Sequence, residues 1–141
     1  MDFGVLGDLN WIAVIIAGVA YYALGAVWYA QAVFGRAWQQ SMGWEPAADY
    51  RPAPTTYVVP LVTCLVSAIA VGMLAEGTAT DTFAEGIVLG LVVGIGIAAT
   101  GLFVTGFFDP LKPKPMTTTT INAGYQVVGI LIAAIIISIW S

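Results

Sequence analysis

Hydrophobic residues fill four long runs of the chain, and short polar segments separate them. The runs extend over about residues 9–34, 56–75, 82–108 and 118–140, and Glu85 is their only charged residue. A bilayer core of about 30 Å takes about 20 helical residues to cross, so each run is long enough. The pattern predicts an all-α integral membrane protein, an antiparallel bundle of four transmembrane helices that forms a single domain over residues 1–141.

The composition agrees with a membrane protein and excludes several other classes. Hydrophobic residues make up 60% of the chain and charged residues only 9%, whereas a soluble domain has about 25% charged residues. The net charge is −4 and the four basic residues are scattered, which argues against nucleic-acid binding because that needs a clustered basic surface. The expected partner is therefore the lipid bilayer, with no nucleic acid.

The residues that catalysis and metal binding usually need are scarce. The chain has no histidine and one cysteine, Cys64. These counts exclude the usual zinc sites and the usual serine or cysteine nucleophile systems. No acid lies in the middle of a run, the position that is typical of an ion or proton pathway. We therefore expect no metal, no cofactor and no enzymatic activity.

Basic residues predict how the chain is oriented in the membrane. All four lie in the loops that follow the first and third runs, at positions Arg36, Arg51, Lys112 and Lys114. The positive-inside rule places loops 35–55 and 109–117 in the cytoplasm and both termini outside, as a multi-pass protein of the cell membrane.

The polar turn at residues 76–81 predicts that the second and third runs form a hairpin. The first run is too long for a cleaved signal peptide, and no basic residue precedes it.

Small residues recur every four positions in the third run. Gly86, Gly90, Gly94 and Ala98 share one helix face, and such a face lets two helices approach closely in lipid. Gly96, Thr100 and Gly101 widen this surface. The face predicts helix packing, either within one chain or between protomers of a homo-oligomer; a pore lining is a third alternative.

The fourth run opens with polar residues that need partners inside the membrane. Asn122 and Gln126 are four residues apart and share one face, and Gln126 is expected roughly 10 Å inside the cytoplasmic end of the helix. Residues of the first and third runs are expected at a similar height. The candidate polar cluster is Tyr29, Gln31, Thr105, Asn122, Tyr125 and Gln126. It is either a hydrogen-bond clamp between helices or a site for a solute or lipid headgroup.

Tryptophans lie near the predicted ends of the membrane segments. Trp11 and Trp28 are separated by about 25 Å of helix axis, which matches the distance between the two interfacial belts. Trp38 follows the first run and Trp140 ends the fourth, so all four are predicted interface anchors. Tyr21 and Tyr22 lie in the middle of the first run, and at least one of their hydroxyls is expected to face another helix.

Two stretches of the chain resemble a known family. The first contains Asn10-Trp11, Gly18, Gly25, Trp28-Tyr29, Phe34-Gly35 and Trp38; the second is the segment 121–125, which reads Ile-Asn-Ala-Gly-Tyr. With the length and the four runs, they resemble the bacterial family catalogued as domain of unknown function 1761. The resemblance implies a small four-helix protein of the bacterial inner membrane. It implies no reaction, substrate or catalytic residue.

Two functions are compatible with these patterns. The first is a non-enzymatic membrane bundle that self-associates and acts as a structural or partner-binding protein. The alternative is a transporter or channel for a small solute or a lipid, which would use the polar cluster in the cytoplasmic half of the bundle. The first run has no acid, unlike the first helix of small multidrug transporters. The unequal loop charges also differ from those of dual-topology fluoride channels.

Overall fold

The computed structural model describes residues 2–140, and this part of the chain is helical with no strand. Its α-helices are α1 (Trp11–Trp28), α2 (Arg36–Met42), α3 (Thr55–Gly77), α4 (Phe83–Val93), α5 (Thr100–Phe107) and α6 (Pro115–Ser138). A π-helical turn, Gly94–Ala99, joins α4 and α5 into one continuous helix. With α1, α3 and α6 this makes four helices that are long and apolar enough to cross a membrane. The prediction of an all-α protein with four helices of membrane-spanning length is confirmed.

The first helix is shorter than the first hydrophobic run. It begins at the cap Asn10, whose side chain accepts a hydrogen bond from the Ala13 N–H, and it ends at Trp28 rather than near residue 34. Ala30 is extended, and the chain then resumes as a π-helical turn, Gln31–Gly35, that leads into α2. A Cβ on Gly35 would lie 2.3 Å from the Tyr29 carbonyl oxygen, so this tight return requires glycine.

Glu85 takes part in the hydrogen bonds that cap the start of α4. Thr82 caps the helix, and the side chains of Thr82 and Glu85 bond each other's backbone N–H in a capping box. Glu85 is exposed. The only acid of the four hydrophobic runs thus serves to start a helix.

Helix α6 is the centre of the bundle, because α1, α3, α4 and α5 all pack against it. In contrast, α3 and α4 are joined by a short turn but make few contacts with each other. The sequence predicted a hairpin of the second and third runs, but α3 and α4 do not pack closely along their lengths, because the glycine face of α4 lies on α6.

The buried core lies among α1, α3 and α6 and consists mostly of small residues. Alanines fill the closest approaches, and Tyr21 is the largest fully buried side chain. The central members are Val14, Ala17, Tyr21, Cys64, Ala68, Val71, Ile130, Ala133, Ala134 and Ile137. Small side chains let the helices lie close enough for dispersion contacts to hold them together in lipid.

Candidate functional site

A polar layer lies where the end of α1 meets the beginning of α6. The Tyr29 hydroxyl donates to Asn122 Oδ1 at 2.8 Å, and the Tyr21 hydroxyl donates to Gln126 Oε1. One helical turn separates the two tyrosine–amide pairs on α6. The structure thus gives each amide oxygen a partner on α1, which lipid could not supply.

Tyr125 links this layer to a third helix. Its hydroxyl donates to the Tyr21 carbonyl oxygen at 3.3 Å and lies 3.3 Å from Cys64 Sγ on α3. Its ring packs against those of Tyr21 and Tyr29, with centroids 5.3 and 5.4 Å away. Sequence reasoning placed Tyr125 in the cluster but assigned no partner to Tyr21. No pattern in the sequence indicates that Cys64 faces Tyr125.

Glycines of α6 make room for the aromatic side chains of α1. A Cβ on Gly129 would lie 1.9 Å from the Tyr21 ring, and one on Gly124 would lie 2.9 Å from the Trp28 indole. The Trp28 indole also donates its Nε1–H to the Ile121 carbonyl oxygen at 3.0 Å. Trp28 was predicted as an interface anchor; in the structure it is half-buried and joins α1 to α6.

Two predicted members of the cluster lie elsewhere. The Thr105 hydroxyl donates to carbonyl oxygens of its own helix, those of Gly101 and Leu102, and the residue is exposed. Gln31 is also exposed and lines a groove beside α2. The structure therefore brings together Tyr21, Tyr29, Cys64, Asn122, Tyr125 and Gln126.

The cluster leaves two hydrogen-bond donors unused. Asn122 and Gln126 each accept a hydrogen bond through the side-chain oxygen. Their side-chain N–H₂ groups have no acceptor among residues 2–140. Both residues are half-buried. This pair of donors could bind the oxygens of a ligand. The same residues 2–140 contain no group of three or more histidine, cysteine or acidic residues placed to hold a metal ion.

Helix α2 closes the end of the polar layer. The Ser41 and Thr118 hydroxyls are 2.7 Å apart, and the Ser41 carbonyl oxygen accepts from the Lys114 N–H at 3.1 Å. Trp38 packs between Tyr29 and Trp44, and its indole Nε1 is buried with no partner in residues 2–140. Trp38, predicted as an interface anchor, is thus held between other aromatic rings.

The other two predicted anchors are more exposed. Trp11 is 43% exposed and donates its indole N–H to the Leu6 carbonyl oxygen, whereas Trp140 is 50% exposed. The Trp140 carbonyl oxygen accepts from Asn10 Nδ2 at 2.7 Å. Both side chains are exposed near the ends of long apolar helices, and their anchoring role stays a prediction.

The glycine face of α4 packs inside the chain. A Cβ on Gly90 would lie 2.7 Å from the Leu131 Cα, and one on Gly94 would lie 3.1 Å from the Val127 Cα. Gly86 is similarly close to the Ala134 carbonyl oxygen. After Gly94 the π-helical turn adds a residue to the repeat, so Ala99 is buried while Ala98 is half-buried against the core. Gly96 and Gly101, in contrast, have no atom within 4 Å of a Cβ position.

An ion pair stabilises the loop between α5 and α6. The Lys112 ammonium donates to an Asp109 carboxylate oxygen, and Asp109 Oδ1 accepts from the Leu111 N–H at 3.1 Å. The bond from Lys112 is the main reason why the pKa of Asp109 lies below its ordinary value. Asp109 therefore holds the loop together through its bonds to Leu111 and Lys112.

Comparisons with known proteins support the resemblance seen in the sequence. No curated protein and no solved structure shows significant similarity to the chain. A family model described as protein of unknown function (DUF1761) matches residues 12–138. The matched range contains the whole polar layer and the glycine face of α4. Because it covers most of the chain, the protein belongs to this family of unknown function.

Proposed function

We propose that the protein is a non-enzymatic, multi-pass protein of the cell membrane and an antiparallel bundle. Asn10 at the start of α1 bonds Trp140, and Tyr29 at the end of α1 bonds Asn122, which supports opposite directions for α1 and α6. The basic residues of loops 35–55 and 109–117 support a cytoplasmic position for both loops, with the termini outside.

A labelling experiment tests this orientation. Arg51→Cys and Thr78→Cys are each made in a Cys64→Ala background and treated with a membrane-impermeant thiol reagent on intact cells. We expect labelling at position 78 and none at position 51 until the cells are opened. Labelling of position 51 on intact cells would contradict the proposed orientation.

The proposed role is self-association, as a structural or partner-binding bundle. The observation that carries it is the open small-residue surface formed by Gly96, Thr100, Gly101 and Thr105. All four residues are exposed. A helix of a second copy could approach this surface closely and accept weak Cα–H hydrogen bonds, as small-residue interfaces allow. The glycine face of α4 is already used within the chain, which leaves this second surface for a partner.

A matched pair of leucine substitutions tests self-association. Gly101→Leu fills the open surface, whereas Val88→Leu places the same side chain at an exposed position of α4. In nanodiscs we expect the parent and Val88→Leu to be oligomeric and Gly101→Leu to be monomeric with an unchanged melting temperature. A monomeric parent, or a Gly101→Leu variant with the parent's stoichiometry, would contradict the proposal.

One observation favours a second candidate function, a transporter or channel for a lipid or a small solute. The side-chain N–H₂ groups of Asn122 and Gln126 lack acceptors within residues 2–140, and a ligand oxygen could bind both. Gln126→Leu would then keep the fold but lose co-purified lipid, whereas the control Thr105→Val would keep it. If neither variant changes the co-purified lipid, the cluster is only a clamp between helices.

A further inference from the structure

The segment after α1 folds into an open groove with a volume of about 450 Å³. The left-handed conformation of Gly43 (φ 67°) ends α2 and turns the chain back on itself. The Trp44 N–H then bonds the Gln39 carbonyl oxygen at 3.1 Å. This return brings residues 44–46 beside the polar side of α2. The groove is lined mainly by Gln31, Arg36, Gln39, Gln40, Trp44 and Glu45.

The groove contains one positive and one negative side chain, and neither is neutralised within the chain. Among residues 2–140 the only ion pair joins Lys112 to Asp109, so Arg36 and Glu45 do not pair with each other or with any other described group. Two opposite charges that share one groove without pairing are complementary to a ligand that carries both charges. A ligand with a single charge would satisfy one group and be repelled by the other.

Neutral polar groups complete the lining. The side chains of Gln31, Gln39 and Gln40 make no hydrogen bond within residues 2–140. Each carboxamide offers both donors and acceptors. They could therefore bond phosphate oxygens near Arg36 and an ammonium group near Glu45.

Exposed apolar side chains on the segment that forms the groove indicate an amphipathic ligand. Val33 and Phe34 are exposed on the same segment, directly after the end of the transmembrane helix α1. Trp44 is also exposed and lines the groove itself. Aromatic and basic residues together at the end of a transmembrane helix are typical of the headgroup region. A phospholipid could place its headgroup in the groove and its acyl chains along this apolar surface.

We propose that the groove binds the phosphoethanolamine headgroup of a phospholipid. Arg36 binds the phosphate through its planar guanidinium group, and Glu45 accepts hydrogen bonds from the primary ammonium group. A choline headgroup has no N–H to donate to Glu45. A phosphatidylglycerol headgroup has no positive charge and leaves the charge of Glu45 without a counterion. The site thus selects the ethanolamine lipid through two separate charged contacts, independently of self-association.

Native mass spectrometry of the detergent-solubilised protein tests the selection. The protein is titrated with equimolar phosphatidylethanolamine, phosphatidylcholine and phosphatidylglycerol of identical acyl chains. We expect at least about a tenfold preference for the ethanolamine lipid, which is the size of effect that one charge-assisted hydrogen bond produces. A preference for phosphatidylglycerol, or equal binding of all three lipids, would overturn the proposal.

Two variants separate the contacts. Glu45→Gln removes the negative charge and should strongly reduce the preference for ethanolamine over choline, and Arg36→Gln should weaken binding of both lipids by about tenfold or more. Asp49→Asn and Arg51→Gln are the matched controls, because these exposed residues lie outside the groove, and they should bind like the parent. All four positions are exposed, so melting temperatures should be unchanged. A parent-like preference in Glu45→Gln would overturn the proposed ammonium contact.

A soluble competitor identifies the source of the headgroup. Free phosphoethanolamine carries the same charges without acyl chains. We expect it to displace the lipid only at concentrations far above that of the lipid, because it cannot use the apolar surface at Val33 and Phe34. Equal displacement at matched concentrations would overturn the assignment of a lipid and indicate a soluble ligand.

Discussion

Helix α6 has two glycine-dependent interfaces that are built in opposite ways. Toward α4, the partner helix supplies the glycines, and α6 supplies the side chains and backbone that fill the space above Gly90 and Gly94. Toward α1, α6 supplies the glycines, and α1 supplies large rings, with Tyr21 over Gly129 and Trp28 over Gly124. The second interface also contains the side-chain hydrogen bonds Tyr21–Gln126 and Tyr29–Asn122.

This difference shows two ways to hold helices together where lipid supplies little hydrophobic drive. A regular glycine repeat brings two backbones close, and dispersion provides the attraction. A tyrosine ring that packs over a single glycine forms a local contact with the neighbouring helix, and the tyrosine hydroxyl then bonds a polar side chain of that helix. We expect any larger side chain on the glycine face to destabilise the α4–α6 interface. The stability of the α1–α6 interface should depend instead on whether each ring keeps its particular glycine or amide partner.

The largest effect is expected at the close backbone contact of α4. Gly90→Leu places side-chain atoms where the Leu131 Cα already lies 2.7 Å from a Cβ position. We expect a loss of about 3 kcal/mol or more of folding free energy, because the two backbones must separate. Thermal unfolding in detergent measures it, with the exposed Val92→Leu as control. Equal melting temperatures for the two variants would show that the contact is not close.

A smaller but more specific loss is expected between Gly129 and Tyr21. Gly129→Ala places a methyl group 1.9 Å from the Tyr21 ring, and overpacking of this kind costs about 1–3 kcal/mol. In a Tyr21→Ala background the ring is gone, so the added methyl should cost much less. A double-mutant cycle by thermal unfolding measures the difference.

Gly96→Ala provides the control for this cycle. No other atom of the chain lies within 4 Å of its Cβ position, so in the monomeric protein the substitution should be neutral or slightly stabilising through helix propensity. If Gly129→Ala costs the same with and without the Tyr21 ring, the interface does not depend on that pair of residues.

The hydrogen bonds of the α1 interface should contribute less than its packing. Gln126→Leu removes both the bond to Tyr21 and a polar group from the membrane, so the net loss should be under about 2 kcal/mol. Tyr21→Phe removes the same bond and should show coupling to Gln126→Leu in unfolding measurements. Additive effects of the two substitutions would mean that the bond contributes nothing to stability.

The smallest effect is expected in the loop between α5 and α6. The pKa of Asp109 is lowered from 3.8 by its bond to Lys112, so the folded state binds this proton less tightly than the unfolded state. Its stabilising contribution is therefore present above pH 3.8 and is lost as the pH falls through the lowered pKa. Asp109→Asn should melt slightly below the parent at pH 6, and the difference should vanish in strong acid. A difference that persists there would contradict the ionic origin of the effect.

The sequence predicts the first interface well and the second only in part. The four-residue spacing of Gly86, Gly90 and Gly94 is a regular pattern, so the packing face of α4 can be recognised without coordinates. Gly124 and Gly129 are five residues apart, and each becomes meaningful only when an aromatic ring of α1 lies over it. Asn122 and Gln126 required partners, but the sequence did not indicate that Tyr21 would be one of them.

The errors in the predicted site have physical causes. Thr105 was placed by its height in the membrane, yet height does not indicate direction, and the π-helical turn Gly94–Ala99 shifts the packing face of the helix that follows. Gln31 was assigned to the first transmembrane helix. The break at Ala30, with Gly35 close to the Tyr29 carbonyl, instead places Gln31 in a separate segment that lines the groove.

The helical class and the four apolar helices long enough to cross a membrane follow from the sequence, because they depend on local hydrophobicity, which every residue carries with it. The central position of α6, the separation of α3 from α4 and the pairing of Tyr21 with Gln126 were decided only in the folded chain. In lipid all apolar helix faces are equally well solvated, so hydrophobicity does not determine which helices pack together. Complementary shape and interhelical hydrogen bonds determine which helices pack together, and both form only when the helices lie side by side.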